Sequence, residues 1–229
     1  MKRVKSLVYN KFVLDINEHH PVDLFALLSE AKYTDENGMG FTRVTGDSTY
    51  VEATLLKRSF TYIQEFDPIE SDLVRKQIAV FSSVNFSINS MLRLLTVYGG
   101  QIQLNMVRTM LRNVQGLKYN AEPILLNARE FNETLIDKKV NSSIRQLTIR
   151  RFNYENGMIG RFSGEVVKQS TARELLEHYK SSVVKVVFGV LIEQEELLVQ
   201  ILPNGNVKLL CDEDDFEYYL DYLKQIIFS

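Results

Sequence analysis

The chain has one cysteine, four prolines and no apolar run that approaches the length of a membrane-crossing helix. Each scarcity excludes something. Cys211 has no second thiol to pair with, so no internal disulfide staples the fold, and its place between a strand and a helix suits a small buried hydrophobe. Four prolines and eleven glycines in 229 residues leave no long flexible linker. The opening Met1-Lys2-Arg3-Val4-Lys5 leads into an alternating strand and not into a signal-peptide core, so the protein is expected to stay where it is made. A reducing, cytoplasmic location without membrane attachment follows as an expectation. HExxH and His-x-His spacings are missing, and Gly38-Met39-Gly40 and Gly157-Met158-Ile159-Gly160 lack the Lys-Ser/Thr ending of a phosphate loop. No cofactor and no catalytic residue is therefore assigned.

What is present is ordinary for a globular protein, 45% apolar and 24% charged. The length suits two modules of about 110 residues. The stretch 115–123, with Gly116 and Pro123, is the natural boundary, giving halves 1–116 and 117–229 packed as one compact unit. Charge is uneven: residues 193–229 hold nine carboxylates against two lysines, −7, which leaves +5 on the remainder of a chain whose total is −2. Asp212-Glu213-Asp214-Asp215 is expected to open a helix, with Asp212 capping its free N–H groups; an acidic docking motif is the other reading.

Three Asn-Gly pairs, at 37–38, 156–157 and 204–205, punctuate the chain, and the last two separate alternating apolar runs. A type I′ hairpin turn needs positive φ at both central positions, which Asn tolerates and Gly adopts freely, so antiparallel sheet is expected. Residues 3–14 read as a strand, followed by a helix from Pro21 whose inner face holds Leu24, Phe25, Leu28 and Ala31. In the extended segment 49–66, Val51, Ala53 and Leu55 share one parity and Leu56, Phe60 and Tyr62 the other, which predicts a bulge near Leu55. Ile78, Val80, Val84, Phe86 and Ile88 mark a half-buried strand. Residues 90–114 read as two helices joined at Gly99-Gly100, with a hairpin around those glycines as the alternative.

In the second half, a helix near 130–138 precedes a strand at 143–154 and its return through Val167. A helix with a Thr171/Glu174 capping box follows, with Ala172, Leu175, Leu176 and Tyr179 inward, and Glu174 and His178 spaced for an ion pair. Strands at 183–192, 197–202 and 207–210 and a final helix complete it. The fold class is α+β, a mainly antiparallel sheet with packed helices, readable as two strand, helix, three strands, helix units. On topology, this order resembles the duplicated half of the TATA-binding-protein fold, two such units forming a curved antiparallel saddle; a fold of this kind confers no function by itself.

Function must come from side chains. His19-His20 with Asp15, Glu18 and Asp23 is the best metal-like grouping, but adjacent histidines splay apart and His20-Pro21 suits a loop. Glu30-Ala31-Lys32 has only the spacing of a nuclease arm. A Cys211–His178 nucleophilic pair is opposed by the carboxylates after Cys211. The strongest binding candidate is basic and aromatic: Lys138, Lys139, Arg145, Arg150, Arg151 and Arg161 with Phe152, Tyr154 and Phe162. Cations neutralise phosphates while rings stack on bases, although strand alternation sends Arg150 and Arg151 to opposite faces and places Arg145 with Arg151. The expected function is a non-catalytic binding protein, a subunit or adaptor of an intracellular assembly with a protein partner. The alternatives are a nucleic-acid module using 138–162, supported by Lys57, Arg58, Arg75 and Lys76, and a metal-dependent hydrolase or nuclease. An uncovered edge such as 49–66 also offers homo-oligomerisation.

Overall fold

The computed structural model describes residues 2–14, 23–69, 71–154 and 157–228, and it divides into two compact units, Asn10–Glu122 and Met1–Tyr9 with Pro123–Ser229. Among the described residues are eleven strands and five helices, with antiparallel pairing throughout the registered ladders. The chain is thus α+β with antiparallel sheet. His19, His20, Pro21, Asp15, Glu18 and Asn156 lie outside the described residues.

The Asn10–Glu122 unit takes the later part of β1 (Lys2–Leu14), then α1 (Leu24–Glu30), β2 (Met39–Gly46), β3 (Tyr50–Asp67), β4 (Asp72–Asn89), β5 (Leu94–Tyr98), α2 (Gln101–Asn113) and β6 (Tyr119–Pro123). Its strand order is β2-β3-β4-β5-β1, and β6 also pairs β1. The core follows the pleat: Val51↔Ile88, Ala53↔Phe86 and Leu55↔Val84 are paired across β3 and β4 and all six are buried. Phe41 sits 5.6 Å from Phe86, ring to ring. Leu24 and Leu28 of α1 and Leu104, Val107 and Leu111 of α2 complete the apolar layer. Asp23 starts α1 by accepting the Ala26 N–H at 3.1 Å. A one-residue slip would turn this whole set outward, so burial fixes the register.

The fold departs from several local expectations. No helix begins at Asn89-Ser90: the Asn89 side chain accepts the Leu92 N–H at 2.9 Å in a turn, and β5 follows. Leu94, Leu95, Thr96 and Val97 are buried on both faces of that strand, and a short run covered on both sides carries no strand period. Nor is there a hairpin at Gly99-Gly100, because Gly100 caps α2, where Gln103 Oε1 accepts its N–H at 3.0 Å. Four strands, not three, therefore separate α1 from α2. The bulge near Leu55 lies in the partner strand, between Phe41 and Arg43, while β3 and β4 pair without interruption. Phe25, 37% exposed, is not on the inner face of α1.

The other unit takes the first part of β1 and then α3 (Ala128–Asp137), β7 (Ser142–Asn153), β8 (Ile159–Glu165), α4 (Gln169–His178), β9 (Val183–Ile192), β10 (Glu195–Ile201), β11 (Val207–Asp212) and α5 (Phe216–Phe228), in the order β1-β11-β10-β9-β7-β8. Gly205, at φ +76°, turns β10 into β11, and Leu202 and Asn206 close the hairpin at 3.0 Å. Val186, Phe188, Val190 and Ile192 of the central β9 are buried, and Phe131 of α3 meets Phe188 at 5.1 Å. Cys211 alternates inward with Val207 and Leu209. Asp212 ends β11, so the residue before the first turn of α5 is Asp215, whose carbonyl accepts the Tyr219 N–H at 3.0 Å. Likewise α4 starts at Gln169 after Lys168, which leaves Thr171 inside the helix and no capping box at its start. The His178 ring lies 4.6 Å from Tyr179, and among the described residues it forms no ion pair with Glu174.

Candidate functional site

The basic segment of β7 and β8 is organised by two bulges. Arg145 is the extra residue between Ile144↔Phe188 and Gln146↔Val187. Its guanidinium crosses β9 to Glu196 on β10; Nε donates to Oε1 at 2.7 Å and Nη2 donates to the same oxygen. Gly189 lies beneath this ion pair. A Cβ there would stand 2.1 Å from Glu196 Oε1 and 3.0 Å from Arg145 Nε, so the missing side chain lets the pair lie across the strand. Gln169 secures the same bulge, accepting the Ile144 N–H at 2.8 Å and donating to the Ile144 carbonyl at 3.0 Å. Arg145 is thereby paired within the fold.

The second bulge sets Arg150 and Arg151 against a single residue of β8. Ile149 faces Phe162 and Phe152 faces Gly160, so the two arginines oppose Arg161. All three are exposed, and none has a carboxylate within ion-pair reach among the described residues. The strict alternation expected for residues 145–151 does not hold, because a bulge breaks the two-residue count on either side of this stretch. Lys138 caps the end of α3 and donates from Nζ to the Gln225 carbonyl at 3.1 Å; Lys139 follows, exposed, at φ +53°. The aromatic members pack on one another. Phe152 stacks on Phe162 at 4.9 Å and meets Tyr154 at 5.0 Å and Tyr179 at 5.2 Å. Phe162 covers Gly164, Tyr154 covers Gly160, and the Tyr154 hydroxyl donates to the Arg161 carbonyl at 3.0 Å. Three ring neighbours occupy Phe152, so it is not an open platform for a base.

A second surface is built by β3 and β4 in the Asn10–Glu122 unit. β2 pairs β3 only as far as Lys57, and β5 pairs β4 only from Phe86 onward. From Ser59↔Val80 to Asp67↔Asp72 the two strands have, among the described residues, only each other as ladder partners, a ribbon of roughly 30 Å at 3.3 Å per residue. Residues directly opposite share a face. One face carries Arg58, Phe60, Tyr62, Phe66, Leu73, Arg75 and Phe81; its five large apolar side chains are 53–60% exposed. Arg75 lies 3.8 Å over the Tyr62 ring and Arg58 5.3 Å from that of Phe60. Arg58 also anchors the ribbon's base, donating to the Asp35 carboxylate at 3.2 Å and to its carbonyl. The opposite face is aliphatic, with Ile63, Val74, Ile78 and Val80 beside a Lys76–Glu65 ion pair of 2.8 Å.

This aromatic face was not singled out from the sequence, although its signal was present: the parity switch between Leu55 and Leu56 marks where β3 leaves the core. Two equally long extended runs around Asp67-Pro68-Ile69 give the ribbon itself.

An acidic pocket occupies the surface of the other unit, where Glu193, Glu195 and Asp215 line it with Tyr218 and Tyr219. The Tyr219 hydroxyl donates to Glu195 at 2.7 Å, and that bond, with desolvation and the nearby carboxylates, holds its pKa well above the ordinary phenol value. Among the described residues no three His, Cys, Asp or Glu side chains gather as metal ligands, and no helix is long and apolar enough to cross a membrane. The chain matches no protein-family model and no curated protein sequence.

Proposed function

We propose that the chain is a non-catalytic binding protein, a cytoplasmic subunit or adaptor of a larger assembly, which engages a protein partner through the aromatic face of the β3–β4 ribbon. The observation that carries this reading is the exposure of Phe60, Tyr62, Phe66, Leu73 and Phe81 on a ribbon whose outer edges have no ladder partner among the described residues. A two-stranded ribbon is marginal in water, and a large contiguous apolar patch marks an interaction surface. Aromatic residues and arginine are also the types enriched where protein interfaces bury their centres. The test replaces residues 59–80 by a two-residue turn. The variant is expected to keep its far-UV spectrum and its melting temperature within a few degrees, while losing a stoichiometric partner in nuclease-treated native purifications. A partner retained at full stoichiometry refutes the ribbon.

A second reading, nucleic-acid binding by Lys138, Lys139, Arg150, Arg151 and Arg161 with Arg145, Phe152 and Tyr154 as supports, is favoured by the bulge that sets three arginines together. Retention on nucleic acid at low salt that is lost in an Arg150→Ser/Arg151→Ser/Arg161→Ser variant supports it. The likeness to a TATA-binding-protein half is likewise a proposal, supported by the β8–α4–β9–β10–β11–α5 order of the other unit and not by the Asn10–Glu122 unit, where four strands separate the helices, and it bears on architecture alone.

A further inference from the structure

We infer that the occupant of the ribbon's aromatic face is a second copy of this chain, which receives it on the acidic, tyrosine-bearing surface beside α5. The inference rests on the ribbon being the docking element proposed above. Size is the first argument. Five side chains that each present about 200 Å² when free, and are a little over half exposed, offer about 550 Å², most of the roughly 800 Å² that each partner contributes to a stable interface.

Charge is the second. Of the face's two cations Arg58 is paired with Asp35, while Arg75 has no ion-pair partner among the described residues, so two copies of the same face would set Arg75 against Arg75. Its complement is on the same chain. Residues 193–229 hold nine carboxylates and two lysines, and one of those lysines, Lys224, is buried beside Asp221. Glu193, Glu195 and Asp215 share a pocket with Tyr218, which is 52% exposed. Cationic aromatic and anionic aromatic surfaces match in polarity as well as sign, since arginine and tyrosine are both residues that carry interface energy. Because the two patches differ, the contact is heterologous, and repetition yields a ring or a filament, not a closed two-fold dimer.

Light scattering after gel filtration of the full chain tests this. The wild type is expected to show concentration-dependent masses above a dimer, weakened by salt. Phe60→Ser/Tyr62→Ser and Arg75→Glu should each raise the apparent dissociation constant about tenfold or more. Asp214→Lys/Asp215→Lys should do the same, with circular dichroism confirming that α5 still folds. Mixing Arg75→Glu with Asp214→Lys/Asp215→Lys should restore assembly that neither variant achieves alone. A wild type that stays monomeric overturns the inference; if its native partner still depends on the ribbon, the proposed function stands without it. Oligomers that survive every ribbon variant, or a mixture that fails to reassemble, also overturn it.

Discussion

Leu55 and Phe60 lie five residues apart on one strand and should behave oppositely when truncated. Leu55 is fully buried opposite Val84, so Leu55→Ala removes core contacts and leaves a cavity, costing about 2–5 kcal/mol. Phe60 is 57% exposed. Less than half of a side chain of about 200 Å² is hidden, which at about 25 cal/mol per Å² bounds its loss near 2 kcal/mol; the Cβ kept in alanine and a compact unfolded state bring that nearer 1 kcal/mol. For a chain of this length each kcal/mol moves the melting temperature by about 2–4 °C. Leu55→Ala should therefore melt roughly 4–20 °C early and Phe60→Ala within a few degrees of the wild type. Thermal denaturation followed by circular dichroism reads the contrast, and the same Phe60→Ala sample should fail in partner recovery or self-association. If Phe60→Ala melts as early as Leu55→Ala, or binds normally, the division of β3 into a core part and a docking part is wrong.

Three other outcomes follow from named contacts. The Asn10 side chain is fully buried and neither of its amide atoms has a partner among the described residues, so Asn10→Leu should stabilise by about 1–3 kcal/mol in urea denaturation; a loss of stability would mean the amide is satisfied. Gln169→Ala leaves the Ile144 N–H and carbonyl at the first bulge without their side-chain partner and should cost about 1–3 kcal/mol, with Gln169→Glu recovering only the acceptor half; an unchanged midpoint in Gln169→Ala contradicts the clamp. Asp47 accepts from the Thr49 hydroxyl and N–H at 2.7 Å and from the Tyr50 N–H at 2.9 Å, and these bonds, the Thr49 hydroxyl first, hold its pKa below the usual aspartate value. A folded pKa depressed in this way gives stability that is present above the unfolded value, about 3.9, and is lost as pH falls through the folded one. The stability gap between wild type and Asp47→Asn should thus be open at neutral pH and close in strong acid; a gap independent of pH contradicts it.

Much of the fold was readable where one face is buried and the other is wet. The strands around Asn204-Gly205, the helix stripes of Leu104, Val107 and Leu111, and the alternation of Val84, Phe86 and Ile88 each carry their period openly. Residues 94–98 did not, because burial on both faces erases alternation and leaves an apolar run that fits a helix equally well. Helix starts at Asp212 and Thr171 were misplaced for another reason: capping chemistry permits a start wherever Asp or Thr occurs, and the end of β11 and the position of Lys168 decide which start is used. The candidate site was legible as composition only. Arg145 looks equivalent to Arg150 in the sequence, yet Glu196, fifty-one residues away, pairs with it across Gly189.

Local chemistry alone determined the antiparallel class, the position of the Asn-Gly turn after β10, the inward residues of α2 and β11 and the lopsided charge of residues 193–229, because each depends on neighbours a few positions away. Tertiary structure decided which apolar residues stay outside. Phe60 and Phe86 are the same residue on adjacent strands, yet the β3–β4 register puts them on opposite faces: Phe86 lies opposite Ala53 with the core, and Phe60 lies on the other face of a ribbon that runs on past the ends of the β2 and β5 pairings, left to the solvent or to a partner.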